Sequence, residues 1–283
     1  MDTPTDSTRV WLITGASVGL GRALAEAALE RGHRVAATAR NADSVADLEQ
    51  RHPGRALAVR LDVTDAGQAR GAVDAAVEAF GRVDVVVSNA GYGLFGALEE
   101  LTDDELREQF ETNVFGAINV TRAALPQLRR QRSGQLVQMS SLEGVAPMLA
   151  GESAYAATKF AVEGLCEALA KDVAHLGVRV TLVEPGPVRT DFGAAAVAKP
   201  PAIDDYDPSV GEALRLFAEL AGKQPNDPAR IAAAIIQAVD ADEPPLRLAL
   251  GAEAIEAIRR KLDGQRRDLD AWEQVGRSTA IAS

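Results

Sequence analysis

The stretch Tyr155-Ala156-Ala157-Thr158-Lys159 sets a phenol and an ammonium four positions apart. On a helix that spacing brings both side chains to one face. A tyrosine hydroxyl has a pKa of about 10, so ionising it near neutrality requires roughly 4 kcal/mol. An ammonium about 5 Å away, at an effective dielectric of about 20, supplies on the order of 3 kcal/mol. A cationic cofactor beside the ring would supply the remainder, and the pair then becomes a workable acid–base unit. Taken alone, such a pair is more often ordinary helix surface.

A second chemical feature lies near the start of the chain. The run Val10–Thr14 leads directly into Gly15-Ala16-Ser17-Val18-Gly19-Leu20-Gly21, after which a helix begins. Glycines serve where backbone must turn tightly and approach a ligand. The free N–H groups and positive dipole end of the following helix suit a pyrophosphate. The spacing is Gly-x-x-x-Gly-x-Gly rather than the Gly-x-Gly-x-x-Gly of the standard dinucleotide fingerprint. The same residues also fit Gly-x-Ser-x-Gly, the strand-to-helix elbow of serine hydrolases. Two facts oppose a hydrolase. The elbow here follows the first strand, and of His33, His52 and His175 only His175 comes late enough in the chain, at the end of a long helical stretch.

These groups need a scaffold. Seven short β-rich runs are predicted at Val10–Gly15, Arg34–Arg40, Ala56–Val63, Val83–Asn89, Gln135–Ser140, Val178–Glu184 and Leu246–Leu250. Several are continuously apolar, as strands covered on both faces are. Helices are predicted between them at Leu20–Arg31, Asp65–Phe80, Asp103–Arg130, Ser153–His175 and Asp227–Asp240. Asp65 and Thr102 stand at helix starts, Gly32 and Gly81 at helix stops. Strand alternating with helix implies one α/β domain, a doubly wound parallel sheet covered on both faces. The domain is placed at 9–251, after a polar, disordered N-terminus (1–8) and before a helical, mixed-charge extension (252–283). Within it, 192–224 reads as an insertion, Pro200-Pro201 and an acidic Asp204-Asp205-Tyr206-Asp207 cluster included, with one helix near Gly211–Ala221. Insertions between late strands are often lids. Gly193 offers a hinge, and the low apolar content predicts weak order until a ligand binds.

Six elements now stand in one order: Thr14-Gly15-x-x-x-Gly19-x-Gly21, Asn89-Ala90-Gly91, Asn113, Ser140-Ser141, Tyr155-x-x-x-Lys159 and Pro185-Gly186. Together they resemble the main single-domain branch of the short-chain dehydrogenase/reductase family. The match covers roughly Val10 to Asp191, with a family-like end to about Leu250. The resemblance implies a Rossmann-like sheet of seven strands in the order 3-2-1-4-5-6-7. It further implies an oxidoreductase that interconverts a ketone or aldehyde with its alcohol, using a nicotinamide dinucleotide.

The resemblance also implies roles. Tyr155 would transfer the proton, Lys159 would assist it and hold the nicotinamide ribose, and Asn113 would hold a water linking Lys159 to solvent. Ser141 would hydrogen-bond the substrate oxygen. It is chosen over Ser140 because Ser141-Leu142-Glu143-Gly144 fits the family's Ser-x-x-Gly, although Ser141 lies 14 residues before Tyr155, about one more than the pattern has. Gly15, Ser17, Gly19, Leu20 and Gly21 would cradle the pyrophosphate. Asn89, Ala90 and Gly91 would pack beside the adenosine ribose, and Asp62 and Val63 beside the adenine. Pro185, Gly186, Val188 and Thr190 would lie along the nicotinamide. Tyr92, Glu143, Met148 and Phe192 are expected at the substrate, with Leu94, Phe95, Leu142 and Leu149 completing a largely apolar pocket. Such a lining suits a medium-sized lipophilic molecule, and Glu143 would disfavour anionic ones.

The cofactor type follows from the second strand, which ends Ala36-Ala37-Thr38-Ala39-Arg40. An NAD-preferring site places an acid here for the ribose 2′-hydroxyl. Ala39 stands in its place, and Arg40 can grip a 2′-phosphate. NADP(H) is therefore expected over NAD(H), with Arg22 as a second candidate. The presence of both Tyr155 and Lys159 weighs against a catalytically silent dinucleotide sensor. Composition narrows the partners. With 30 Lys and Arg against 41 Asp and Glu, the net charge of −11 argues against nucleic acid. One cysteine, Cys166, fits a reducing compartment. No apolar run reaches the roughly 18 residues of a membrane span, and the start carries no secretory pattern. The chain is expected to be cytoplasmic, without metal, acting on a small molecule. The resemblance implies a homo-oligomer built on the helices Asp103–Arg130 and Ser153–His175, a dimer rather than a tetramer because of the tail.

Overall fold

A computed structural model describes residues 8–190, 192 and 196–281. The N-terminal stretch 1–7 and the hinge at Gly193 lie outside these. The strands are β1 (Val10–Ile13), β2 (Arg34–Ala39), β3 (Ala56–Arg60), β4 (Val85–Ser88), β5 (Leu94–Phe95), β6 (Gly134–Met139), β7 (Val178–Pro185), β8 (Val197–Ala198) and β9 (Arg247–Leu250). Seven of them form one sheet, in the order β3-β2-β1-β4-β6-β7-β9, and every neighbouring pair is parallel. Counted within that sheet this is 3-2-1-4-5-6-7, the expected order. β5 and β8 pair separately.

The helices are α1 (Gly19–Glu30), α2 (Ala46–Arg51), α3 (Ala66–Phe80), α4 (Asp103–Phe110), α5 (Gly116–Gln131), α6 (Ser153–Val173), α7 (Glu212–Glu219), α8 (Pro228–Asp240) and α9 (Ala252–Arg277). Asp65 caps α3 by accepting from Gly67 and Gln68 N–H, and Gly81 ends it at φ 81°. Thr102 and Glu105 form a reciprocal capping box on α4. Because side chains alternate across a strand, each sheet face has its own core. Trp11, Ile13, Val85 and Val87 pack with α1 and with Ile231 and Ile235 of α8. Val10, Leu12 and Val86 pack with Val73 of α3, Leu128 of α5 and Cys166 of α6.

Two expectations are corrected. The helix predicted over Asp103–Arg130 is broken by a π turn at Glu111–Phe115, which separates α4 from α5. A π turn adds a residue to the helical ladder and is common at functional positions. Here it buries Asn113. The second correction concerns the insertion. Its low apolar content predicts a loosely held flap, yet it is stitched to the body. β8 pairs with β5, Lys199 Nζ donates to Glu105 at 2.8 Å, and Glu100 accepts from Ala202 and Ile203 N–H at 2.7 and 2.9 Å. The Tyr206 hydroxyl donates to Glu99 at 2.7 Å. Hydrogen bonds from main chain and side chains fasten this segment, with Val210 and Ala213 buried and Phe217 packed against Phe95. Its helix follows a π turn at Asp207–Gly211 and is shorter than predicted. In the extension, Ala254 and Ala257 of α9 pack on Leu142 and Ala146, and the helix then runs outward with Leu269 and Trp272 exposed.

Candidate active site

The carboxyl ends of β1, β4, β6 and β7 open on a cavity of about 620 Å³. Ligands of open parallel sheets bind at this edge, where the strand order reverses. One end of the cavity is built from glycines. Gly15 and Gly19 have φ of 65° and 62°, the left-handed region that favours glycine. A Cβ on Gly15 would stand 3.0 Å from Ala90 Cα, so the turn lies hard against the end of β4. The Asn89 side-chain amide donates to the Thr14 and Gly15 carbonyls at 2.9 and 3.1 Å and locks the two together. Gly15, Ser17, Gly19 and Leu20 line the cavity, as do Asn89, Ala90 and Gly91. Gly21 does not. A Cβ there would lie 2.4 Å from both Asn89 Nδ2 and the Gly15 carbonyl oxygen, so its role is close packing under the turn. No side chain caps the start of α1. A cradle that a Cβ would fill, next to an uncapped helix N-terminus, fits a dinucleotide pyrophosphate.

Arg40, Asp62 and Val63 line the cavity at the ends of β2 and β3. Arg40 is exposed and makes no ion pair with another described residue. Arg22 is otherwise engaged. It is bonded to Asp47 and, at 2.9 Å, to Glu26, which removes it as a candidate for a phosphate. Pro185, Gly186, Val188 and Thr190 line the opposite wall.

At the other end stands Tyr155, 6% exposed on α6. Its ring packs edge-on to Phe95 at 5.5 Å and against Phe192 at 5.8 Å. Lys159, one turn on, sits with Nζ 5.6 Å from the Tyr155 ring centre and donates to the Met139 carbonyl at 2.9 Å. Burial lowers Lys159 to about 8, against the pull of Glu143 and Glu163. Burial pushes the Tyr155 hydroxyl well above its ordinary value, Glu143 adds to this, and contact with Ser141 acts the other way. The resting phenol is a proton donor. The hydroxyl of Ser141 donates to Glu143. Ser140 Oγ is buried beside Gly144, whose added Cβ would stand 2.6 Å from it, and close to Glu163.

Asn113 is buried, and its side-chain amide is engaged by protein. Its Oδ1 accepts from Tyr92 N–H at 3.0 Å, and its Nδ2 donates to the Tyr92 carbonyl and Thr158 Oγ1 at 2.9 and 3.0 Å. The side-chain amide therefore holds the Tyr92 turn to α6. Tyr92, Glu143 and Phe192 line the cavity; Met148 does not. Glu152 accepts from Met148 and Leu149 N–H at 3.1 and 3.0 Å, which turns that loop outward and leaves Met148 44% exposed. Leu149 is also absent from the wall, while Leu94 and Leu142 are fully buried behind it. Sequence reasoning missed Glu152, Phe217 and Gln224, all of which line the cavity. Glu152 carried a signal, an acid one turn before Tyr155 on the same face. Phe217 and Gln224 carried none, because their approach depends on how the insertion folds back. No histidine lines the cavity beside Ser17, so the described residues hold no hydrolase triad.

This arrangement is a cleft suited to a dinucleotide, with a buried tyrosine beside a lysine at one end. Sequence comparison agrees: the short chain dehydrogenase family model matches residues 9–200, and the chain belongs to the short-chain dehydrogenase/reductase family of oxidoreductases. It is similar to a short-chain dehydrogenase from Streptomyces avermitilis, with 46% identity, 97% of this chain and 100% of that chain covered, and a TM-score of 0.90. An alcohol dehydrogenase from Thermococcus sibiricus, solved with 5-hydroxy-NADP, is 30% identical over 86% of this chain and 96% of its own, with a TM-score of 0.71. A family member from Burkholderia phymatum, solved with NAD, is 25% identical over 91% and 95%, with a TM-score of 0.80.

Proposed function

We propose that the protein is an NADP(H)-dependent carbonyl reductase or alcohol dehydrogenase acting on a medium-sized, mostly apolar substrate. The observation that carries this reading is one continuous cavity with Arg40 at one end and Tyr155, Ser141 and Lys159 at the other. Related structures hold nicotinamide dinucleotides, and the glycine cradle fits one. The bound nicotinamide supplies or accepts the hydride. The remaining work falls to side chains. Tyr155 delivers its hydroxyl proton to the oxygen of the carbonyl being reduced, and Ser141 positions that oxygen. Lys159 binds the nicotinamide ribose and keeps a positive charge near the phenol. Arg40 pairs with the 2′-phosphate, and Asp62 and Val63 flank the adenine. Phe95, Phe192 and Phe217 make the far wall apolar, which fits lipophilic carbonyl compounds.

The segment from β8 through α7 contributes Phe217 to the wall and acts as a lid that excludes water during transfer. Slower hydrogen exchange over 196–224 with NADPH and substrate bound is the expected sign, and equal exchange in both states rejects it. No helix among the described residues is long and apolar enough to cross a membrane, and a cytoplasmic location is part of this reading. So is a homodimer. Phe115 and Phe160, on the helices expected at the interface, are 48% and 44% exposed; a monomer by light scattering at micromolar concentration refutes it. The central test is a screen of ketones, aldehydes and secondary alcohols that follows NADPH absorbance. Oxidation of NADPH by neutral ketones supports the reading. Dinucleotide binding without turnover on any carbonyl compound overturns it.

A further inference from the structure

The tyrosine end of the cavity carries more negative charge than carbonyl reduction requires. Glu143 and Glu152 both line it. Glu152 is 8% exposed, yet only its Oε2 is bonded, to Met148 and Leu149 N–H; the other oxygen has no hydrogen-bond partner among the described residues. Among the described residues neither carboxyl makes an ion pair with Lys, Arg or His, and the one cation acting on Glu143 across space is Lys159. Burial raises Glu152 to about 7, and the charge on Glu143 adds to the rise. Burial also raises Glu143. A glutamine at position 152 would accept the same two N–H groups without this cost, so loop anchoring alone does not explain an acid.

The contact between Ser141 and Glu143 gives the pair a further consequence. With Glu143 ionised, the Ser141 proton is directed at a carboxylate and not at a substrate oxygen. A ligand cation that occupies Glu143 releases that proton towards the carbonyl. We propose that Glu143 and Glu152 form a cation subsite, and that the substrate is an amino ketone or amino alcohol with its protonated nitrogen one or two carbons from the reacting carbon and an apolar remainder. The ammonium sits between the two carboxylates, and the apolar chain runs towards Phe95 and Phe217.

This inference rests on the carbonyl-reductase reading, so its test has two arms. In the first, calorimetry compares n-octylammonium with n-octanol, which share a chain and differ in charge. The wild-type protein should bind the ammonium at least about tenfold more tightly, the scale of one charge-assisted hydrogen bond. In Glu152→Gln and Glu143→Gln the ratio should fall towards one, with thermal melting as the check on folding. A merely structural role for either acid would not change this ratio. In the second arm, wild-type kcat/KM on 1-amino-2-octanone should exceed that on 2-octanone by a similar factor. An ammonium preference that is absent, or that survives both substitutions, overturns the subsite even if both ketones are reduced. An ammonium preference that vanishes in the variants, with neither ketone reduced, upholds the subsite and instead rejects the carbonyl-reductase reading.

Discussion

Replacing Tyr155 by phenylalanine removes one oxygen and leaves the ring. The ring makes the packing contacts, edge-on to Phe95 at 5.5 Å and against Phe192 at 5.8 Å, with Lys159 over its face. Those contacts persist in the variant, so the fold should hold. Losing the hydroxyl's contact with Ser141 costs about 1 kcal/mol at most. Catalysis should suffer far more. Burial keeps the phenol protonated, and on the proposed mechanism the variant lacks the hydroxyl that protonates the developing alkoxide. A positioned general acid contributes about 10²- to 10⁴-fold, or roughly 3–5 kcal/mol of barrier. The assay is kcat/KM on a ketone found in the screen, followed by NADPH absorbance, beside NADPH affinity by fluorescence titration. Affinity should stay within about threefold while turnover falls by at least a hundredfold. Turnover within about tenfold of wild type would refute the assignment of Tyr155 as the proton donor.

Arg40→Asp should move preference from NADPH towards NADH, because the phosphate partner is removed and an acceptor for the 2′-hydroxyl is offered. An unchanged NADPH preference, measured as the ratio of the two kcat/KM values, places the discriminating group elsewhere. Lys159 is held at about 8 by burial, so its protonated share falls from about nine-tenths at pH 7 to about one-tenth at pH 9. Dinucleotide affinity should weaken as pH rises through that window; a flat titration shows that the charge on Lys159 does not bind the cofactor. Gly21→Ala should lower the melting temperature by roughly 2–10 °C and weaken dinucleotide binding, since the new Cβ would sit 2.4 Å from Asn89 Nδ2 and the Gly15 carbonyl oxygen. Unaltered melting and affinity would show that the turn can move aside.

The sheet was legible because each run such as Val85–Ser88 is apolar throughout and is bounded by turn residues. Its order came from the family resemblance and agrees with the pairing. Tyr155 and Lys159 were legible as a pair from their spacing on one helix, whereas the choice of Ser141 and the roles of all three came from the family resemblance. The errors lie where distant backbone decides. The two-residue strands Leu94–Phe95 and Val197–Ala198 carry no periodicity to read, and each exists only because the other is there. Met148 is as apolar as a pocket residue should be. The carboxylate of Glu152, binding its backbone, turns the loop the other way. Asn113 was rightly singled out as an oddity in a helix, but the π turn that aims its amide at Tyr92 has no sequence signature.

The way the insertion is fastened bears on how such an enzyme changes its diet. The hydrogen bonds and ion pair that tie residues 197–206 to the body end on the stretch from Gly93 to Glu105. That stretch supplies Phe95 to the cavity, and the insertion supplies Phe217. The two segments behave as one cassette, fastened to itself and set apart from the glycine turn and from β1 to β3. Exchanging both together between relatives should transplant substrate range with the cofactor half undisturbed, whereas exchanging either alone would strand glutamates Glu99, Glu100 and Glu105 without their partners. Divergence in a fold of this kind can then proceed by swapping the cassette, with no need to renegotiate the machinery that holds the dinucleotide.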